Sequence, residues 1–332
     1  MNSSRFARTL AREPDMAEPT HRTERVDIKT GWNCNNRCVF CVQGDKRETY
    51  GNKSTAEVRQ LLEQARQDSD SIVFTGGEVT IRPDLLEIVT YAKSLGYATI
   101  QIQTNGRMLA YKKVCEQLVE AGANEFSPAL HGHTAELHDL LTCSEGSFRQ
   151  TVKSIRNLKE LGQFVLTNSV ITRANYRTLP ELASLLIGLG VDQFQLAFVH
   201  PLGTAGEKFM EVVPRMSLVE PYVKKALDVG LNAGRRVMTE AIPYCFMEGY
   251  EPYIAERIMP RTKIFEGHLT IADYTEHRLT EGKAKGPPCT DCAFGPMCEG
   301  PWREYPEHYG WDEFTSRPDF SKAHPRTLTG LR

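Results

Sequence analysis

Cys34, Cys38 and Cys41 stand within eight residues, in the stretch GWNCNNRCVFCV at 31–42. Their spacing, C-x3-C-x2-C, puts three thiols on one short loop. Three thiolates can hold three irons of a cubane iron–sulfur cluster and leave the fourth iron open to another ligand. A closed structural site instead takes four protein ligands. Two other readings are a three-thiolate zinc site completed by a distant histidine or cysteine, and three unrelated loop thiols; C-x3-C is not the usual zinc pairing. A second group, Cys245, Cys289, Cys292 and Cys298, lies near the end of the chain. Its last three members follow C-x2-C-x5-C in GPPCTDCAFGPMCEGPW, a Gly/Pro-rich loop. Cys115 and Cys143 stand apart and read as ordinary core or surface residues. The total of nine is odd, which weakens a framework of internal disulfides. In a reducing compartment, clustered thiols mean metal or catalysis more often than bridges.

Loops of this kind need elements to position them, and between residues 24 and 200 the chain alternates strand-like and helix-like runs. ERVDIKTG precedes the cysteine loop. A helix opens at Ser54, where S-T-A-E sets Ser54 and Glu57 as a capping box with Val58, Leu61, Leu62 and Ala65 on one face. SIVFTGG follows, then a helix from about Asp84 to Leu95 stopped by Gly96. ATIQIQTNG, NEFSPALHG, FVLTNSVIT and DQFQLAFVH read as the third to sixth strands. The intervening helices fall near 114–121, 148–161 and 179–189. Six strand–helix units in series make a parallel sheet with helical crossovers the natural architecture, and near-continuous apolar runs suit strands covered on both faces. In such folds the functional loops sit at the carboxyl ends of the strands. Those ends carry the cysteine loop, Thr75-Gly76-Gly77-Glu78, Thr104-Asn105-Gly106 and His131-Gly132, which points to one mouth and one site.

Length and charge set bounds. At 332 residues the chain can bury a large core, and a formal charge of −2 leaves no electrostatic footprint for nucleic acid or a membrane surface. No apolar run reaches the roughly 18 residues of a membrane span, and no signal peptide opens the chain. A cytoplasmic protein is expected. Residues 1–23 read as a loosely ordered arm.

Cys34-x3-Cys38-Val39-Phe40-Cys41 after a first strand resembles the C-x3-C-x-aromatic-C signature of the radical S-adenosylmethionine (radical SAM) superfamily. The resemblance implies a partial (β/α)6 TIM-like barrel and a [4Fe-4S] cluster on the three cysteines, whose open iron chelates SAM. It also implies reductive cleavage of SAM to methionine and a 5′-deoxyadenosyl radical that abstracts a substrate hydrogen. Phe40 would pack near the adenine. Gly76-Gly77-Glu78 looks like the family's GGE motif, with backbone groups near the methionine moiety and Glu78 helping to hold its ammonium. Thr104, closing strand three, resembles a position that gives SAM a polar contact, and Asn168 on the fifth strand is a similar candidate. One departure stands out: relatives often carry a serine in an SLDG-like turn after strand four, and this chain has Ala129-Leu130-His131-Gly132. Ser127, two positions earlier, faces the same side of a strand and can substitute. His131, His133 and His138 read as turn and helix-start residues at a surface, with a proton-handling group as the alternative.

The spacing C-x2-C-x5-C resembles the SPASM or Twitch auxiliary-cluster extensions of that superfamily, here in the shorter single-cluster form. It implies that Cys245, Cys289, Cys292 and Cys298 bind one auxiliary [4Fe-4S] cluster; alternatives are four-thiolate zinc, or a cluster without Cys245 and one iron open. The implied layout is a core at 24–235, the extension at 236–315 and a tail at 316–332. Tyr244 and the aromatic segment Trp302–Trp311 would shield that cluster and lock the extension to the barrel, while TEGKAKG (280–286) reads as a solvated loop. The implied partners are an electron donor such as flavodoxin or ferredoxin and a substrate. A peptide or protein side chain, in a maturase-like role, stands slightly ahead of a small molecule such as a nucleotide, sugar or cofactor precursor. The arm before strand one is too short for a fused leader-peptide domain, so a peptide maturase would need a separate recognition partner or none. A non-enzymatic electron carrier or zinc-stapled scaffold is the remaining class; it would not need the SAM-binding set. Anaerobic reconstitution should load about eight irons per chain, four per cubane; a Cys289→Ala variant retaining the full complement would refute that cysteine as a ligand.

Overall fold

On the first strand Val26 and Ile28 are fully buried while Arg25, Asp27 and Lys29 between them are not, the period-two alternation of a strand with one apolar face. The computed structural model describes residues 23–44 and 46–324, so most of the expected N-terminal arm lies outside the described residues. Strands β1 (Arg25–Lys29), β2 (Ser71–Thr75), β3 (Thr99–Thr104), β4 (Glu125–Pro128), β5 (Phe164–Ile171) and β6 (Gln193–Phe198) each pair parallel with the next. Helices Thr55–Asp68, Leu85–Ser94, Lys112–Ala121, Ser147–Glu160 and Leu179–Gly188 make the crossovers. The capping box forms as its sequence predicts: Ser54 Oγ accepts the Glu57 N–H at 3.2 Å and Glu57 Oε2 accepts the Ser54 N–H at 2.7 Å.

Three further strands extend this frame. After the helix Met216–Asn232, β7 (Arg236–Glu240) adds parallel to β6. The chain then crosses to the opposite edge, where β8 (Thr262–Glu266) pairs parallel with β1 and β9 (Leu269–Ile271) returns antiparallel. The order β7-β6-β5-β4-β3-β2-β1-β8-β9 is that of a partial (β/α)6 TIM-like barrel with additional strands at both edges. Apolar side chains such as Ile28, Phe74, Ile102, Phe126 and Phe194 are buried against the helices. The opposite strand faces carry Asp27, Lys29, Gln101, Gln103, Asn168, Gln193 and Gln195, none of them fully buried. Strand β2 is buried on both faces, as its apolar run implies, whereas β1, β3 and β5 alternate.

Aromatic residues lock the C-terminal extension to the barrel. Trp302 stacks on His200 at the end of β6 with ring centroids 3.7 Å apart. The Tyr305 hydroxyl accepts the Met216 N–H at 2.8 Å, and the Tyr309 hydroxyl donates to the Val213 carbonyl at 2.9 Å. One reading needs correction. Lys283, in the segment expected to be solvated, is 4% exposed, with its ammonium 3.7 Å from the Trp302 ring centre and 3.8 Å from Glu256; a cation over an indole face is a stable way to bury a lysine. Arg317, placed in the tail by sequence, is 8% exposed and bonds Glu251 at 2.6 Å. Among the described residues no helix is long and apolar enough to cross a membrane.

Candidate functional site

Parallel pairing between β1 and β2 continues past their ends into the loops. Gly77 N–H donates to the Gly31 carbonyl at 2.8 Å and Glu78 N–H to the Asn33 carbonyl at 2.7 Å. A Cβ on Gly76 would lie 2.3 Å from Gly31 O, and one on Gly77 2.3 Å from Asn33 O. Gly76 also has φ +132°, a conformation that L side chains rarely adopt. Glycine is therefore demanded here by the approach of the cysteine loop itself.

Glu78, which follows, is 2% exposed. Its Oε1 accepts from Thr80 N–H (3.0 Å), Thr80 Oγ1 (2.5 Å) and Thr104 Oγ1 (2.6 Å), and its Oε2 from Asn105 N–H (2.6 Å). Burial pushes its carboxyl above the usual range, and the bonds from Thr104, Thr80 and Asn105 oppose that shift. Thr104 is 4% exposed, and its hydroxyl also accepts the Gly106 N–H at 3.0 Å. Both side chains thus brace the end of β3 against the end of β2. The brace delivers Asn105, whose Nδ2 donates to Asn35 Oδ1 at 2.7 Å and lies 3.9 Å from Cys34 Sγ.

The three thiols are free and half-buried. Asn36 N–H points at Cys34 Sγ (3.4 Å) and Arg47 Nη2 at Cys41 Sγ (3.4 Å). Burial raises the Cys34 and Cys38 thiols, and Cys38 is raised further by Cys41 and Cys34, so the three sulfurs share one electrostatic environment. As they stand, no three His, Cys, Asp or Glu side chains among the described residues form a group that could hold a metal ion. The donor set nevertheless fits a cluster: three soft ligands on one loop, with N–H groups directed at two of the sulfurs.

Phe40 is buried and meets His131 edge-on with centroids 4.7 Å apart. The surface reading of the histidines fails for two of them: His131 is 6% and His138 1% exposed. His138 Nδ1 accepts the His131 N–H (3.1 Å) and His131 Nδ1 accepts the Val170 N–H (3.2 Å), so both spend a ring nitrogen on the backbone behind the cysteine loop. Burial lowers both, His138 to about 4 and His131 well below its ordinary value, which makes them neutral packing groups at pH 7. Ser127 is 3% exposed beside Gln103. Asn168 pairs in register with Gln195, and its Oδ1 is buried without a partner. Among the described residues no hydrogen bond ties Ser127 or Asn168 to the cysteine loop.

The second group lies in the segment after β7. Cys292 N–H bonds the Cys289 carbonyl (3.3 Å) and Cys298 N–H the Phe294 carbonyl (2.8 Å), while Tyr244 packs on Phe294 (5.2 Å) and so brings Cys245 to this turn. Burial pushes the Cys245 thiol up to about 12, with further contributions from Cys298 and Cys289. As placed these four free, half-buried thiols form no group that could hold a metal ion either, though four soft donors are the set a closed metal or cluster site takes. Arg317 secures the turn by accepting the Ala293 N–H at its carbonyl (2.8 Å) and lying 4.2 Å from the Phe294 ring centre.

Several residues of the site carry no motif and were missed by sequence reasoning. Glu266, at the tip of the β8–β9 hairpin, holds Lys29 (2.8 Å) and Lys46 (2.5 Å), which flank the cysteine loop on either side. The turn E-G-H between alternating residues was its available signal. Inside the barrel, Gln101 Nε2 donates to Glu125 (2.9 Å), Thr75 Oγ1 to Gln103 (2.8 Å) and Gln195 Nε2 to Glu240 (2.5 Å), so the lumen is lined by amides and carboxylates. Burial, then the neighbouring Glu256, pushes the Glu240 carboxyl up to about 7, against the pull of Lys283, Arg278 and Arg25.

The sequence model of the radical SAM superfamily matches residues 28–197. An AdoMet-dependent heme synthase from Oleidesulfovibrio alaskensis is 30% identical over 182 residues, 54% of this chain and 46% of the relative. A probable GTP 3′,8-cyclase from Saccharolobus islandicus is 30% identical over 195 residues, 58% of this chain and 62% of the relative. The matches therefore span about half to three-fifths of these relatives' length. Among solved structures, SuiB of Streptococcus suis superposes with TM-score 0.63 at 16% identity, covering 91% of this chain and 77% of that one. The enzyme anSMEcpe with bound AdoMet and Cp18Cys peptide superposes with TM-score 0.63 at 14% identity, covering 92% and 98%. At such identities the likeness is one of fold.

Glu240 yields a test of the lumen's electrostatics. Between pH 4.5 and about 7 the folded chain holds a proton there that the unfolded chain has released, so stability falls as pH rises through that window. Glu240→Gln is expected to flatten the fall, by up to about 3 kcal/mol at pH 7, in urea denaturation at pH 5 and pH 7. The same pH dependence in both proteins would contradict the burial of this carboxyl.

Proposed function

The chain belongs to the radical SAM superfamily, and on that premise we propose that it reductively cleaves SAM and takes a hydrogen atom from a peptide or protein side chain. The observation that carries the reading is the meeting of three free thiols with the Gly76–Glu78 segment and the Glu78–Thr104–Asn105 brace at the carboxyl ends of β1, β2 and β3. Cys34, Cys38 and Cys41 would hold a [4Fe-4S] cluster with one iron left to SAM, and that pair would supply the low-potential electron and the hydrogen-abstracting chemistry. Phe40 would face the adenine, and the backbone of Gly76 and Gly77 the methionine part of SAM. Glu78 and Thr104 act one layer back, fixing the strand ends that bear those contacts. Ser127 and Asn168 line the lumen and are candidates for further polar contacts, Asn168 through its unpartnered Oδ1. Cys245, Cys289, Cys292 and Cys298 would hold an auxiliary [4Fe-4S] cluster in the extension, which would help keep water from a reactive intermediate.

The peptide reading is supported by the relatives solved with peptides, SuiB with its precursor peptide SuiA and anSMEcpe with Cp18Cys, which align over 84% and 92% of this chain. The small-molecule reading has its own support: a lumen lined by amides and carboxylates, and sequence relatives named for heme synthesis and GTP cyclisation. In either case a one-electron donor such as flavodoxin or ferredoxin must feed the first cluster, in the cytoplasm on this reading.

Reduced, reconstituted protein incubated with SAM should yield 5′-deoxyadenosine by chromatography. Cys38→Ala should abolish that product while keeping the auxiliary cluster's share, about four irons. Cleavage surviving in Cys38→Ala would remove the N-terminal loop from the reaction, and no cleavage by fully loaded wild-type protein would leave an electron carrier.

A further inference from the structure

Every peptide unit of the cysteine loop has a carbonyl side and an N–H side, and between Cys34 and Asn36 the carbonyls are held by guanidinium groups. Arg37 Nη1 donates to the carbonyls of Cys34 (2.7 Å) and Asn36 (3.0 Å), Arg107 Nη1 to that of Asn35 (2.5 Å) and Arg47 Nη1 to that of Asn36 (2.9 Å). The peptide joining Asn35 to Asn36 therefore has Arg107 on its oxygen and Cys34 Sγ on its N–H, at 3.4 Å. Hydrogen bonds in such a chain polarise one another, so a cation on the carbonyl strengthens the N–H at the sulfur. Arg47 needs no relay, because its Nη2 lies 3.4 Å from Cys41 Sγ.

The third arginine differs in both respects. The peptide following Asn36 spends its N–H, that of Arg37, on the Thr142 carbonyl at 2.9 Å, so Arg37 has no such route to a sulfur through it. Arg37 is also exposed, whereas Arg47 and Arg107 are half-buried, and a half-buried charge is screened less by solvent. Arg107 is anchored further by Gln150 Oε1 (2.7 Å) and Asn36 Oδ1 (3.1 Å). Electrostatics agree with the geometry. Burial raises the Cys34 thiol most, and the Asn36 N–H and Arg47 work against it; at Cys38 Arg47 again opposes burial.

We propose that Arg47 and Arg107 tune the reduction potential of a cluster on Cys34, Cys38 and Cys41, Arg47 directly at the Cys41 sulfur and Arg107 through the Asn35–Asn36 peptide at the Cys34 sulfur. The inference rests on the radical SAM reading only in placing a cluster on this loop. A reduced cluster carries one more negative charge, and charge-assisted hydrogen bonds to its sulfurs favour that state. Both arginines therefore raise the potential and ease entry of an electron. They are positioning residues, acting through the thiolates that bind the metal.

The test is a potentiometric titration followed by electron paramagnetic resonance, without SAM, on the reconstituted full-length chain carrying Cys289→Ala, which on the proposed ligand set lacks the auxiliary cluster. At the midpoint potential of this parent, Arg47→Met should lower the ratio of reduced to oxidised cluster at least about threefold, equivalent to about 28 mV for one electron, with about four irons retained. Arg47→Lys, which keeps the charge, should recover part of that change. Arg37→Met, which removes an exposed charge from the same loop, should change the ratio less than about half as much. Should Arg47→Met fail to load iron, Arg47→Gln, which keeps an N–H donor and drops the charge, is read in its place with a change of the same sign expected. An unchanged ratio in the loaded Arg47 variants overturns the proposal, as does an equal change in Arg37→Met. Loss of the cluster from both Arg47→Met and Arg47→Gln overturns it in favour of a purely structural arginine. Since SAM is absent throughout, a chain that shows the shift yet never cleaves SAM would sink the proposed function and leave this inference standing.

Discussion

Where β2 ends, the backbone of Gly76 and Gly77 lies so close to Gly31–Asn33 that no side chain fits between them. Two hydrogen bonds carry the sheet's pairing past its formal end and set the start of the cysteine loop by main-chain geometry. Glu78 then turns its carboxylate inward and fixes the end of β3 with bonds from Thr104 and Asn105. A buried carboxylate is costly unless such donors surround it, and here the donors belong to the loops that must stay in place. The three thiols, the glycine segment and Asn105 are therefore one mechanical unit.

A second tier of charge ties the unit to the extension. Glu266 reaches Lys29 before the cysteine loop and Lys46 after it, while Lys283 and Trp302 close over His200 at the end of β6. These contacts come from opposite edges of the sheet, so the region after β7 clasps both sides of the barrel's open face. Stacking, cation–π contact and short ion pairs suit this task because each is directional and fixes orientation as well as distance.

Much of this was legible from residue order. The six strands, the Ser54–Glu57 cap and the glycine-bearing strand ends followed from periodicity and turn chemistry, and the resemblance of the cysteine loop to the radical SAM signature pointed to the chemistry. Less visible were interactions whose partners are far apart in the chain. Glu266 lies 220 residues from Lys46, and nothing local distinguishes it from a surface glutamate. Lys283 sits in a charged, glycine-flanked run that looks solvated until Trp302 is folded onto it. His131 and His138 looked like turn residues because burial depends on Phe40 and β5 packing around them. Thr104 and Glu78 were singled out for SAM, and their types alone could not tell a ligand contact from a brace between strand ends.

The account rests on one corner of the N-terminal cluster remaining open to SAM. The most direct measurement is the electron paramagnetic resonance spectrum of the reduced, reconstituted Cys289→Ala protein, which on the proposed ligand set lacks the auxiliary cluster, recorded before and after SAM is added. A change in g-values and line shape on addition is predicted. An identical spectrum at saturating SAM would contradict the open coordination site and the enzymatic reading with it.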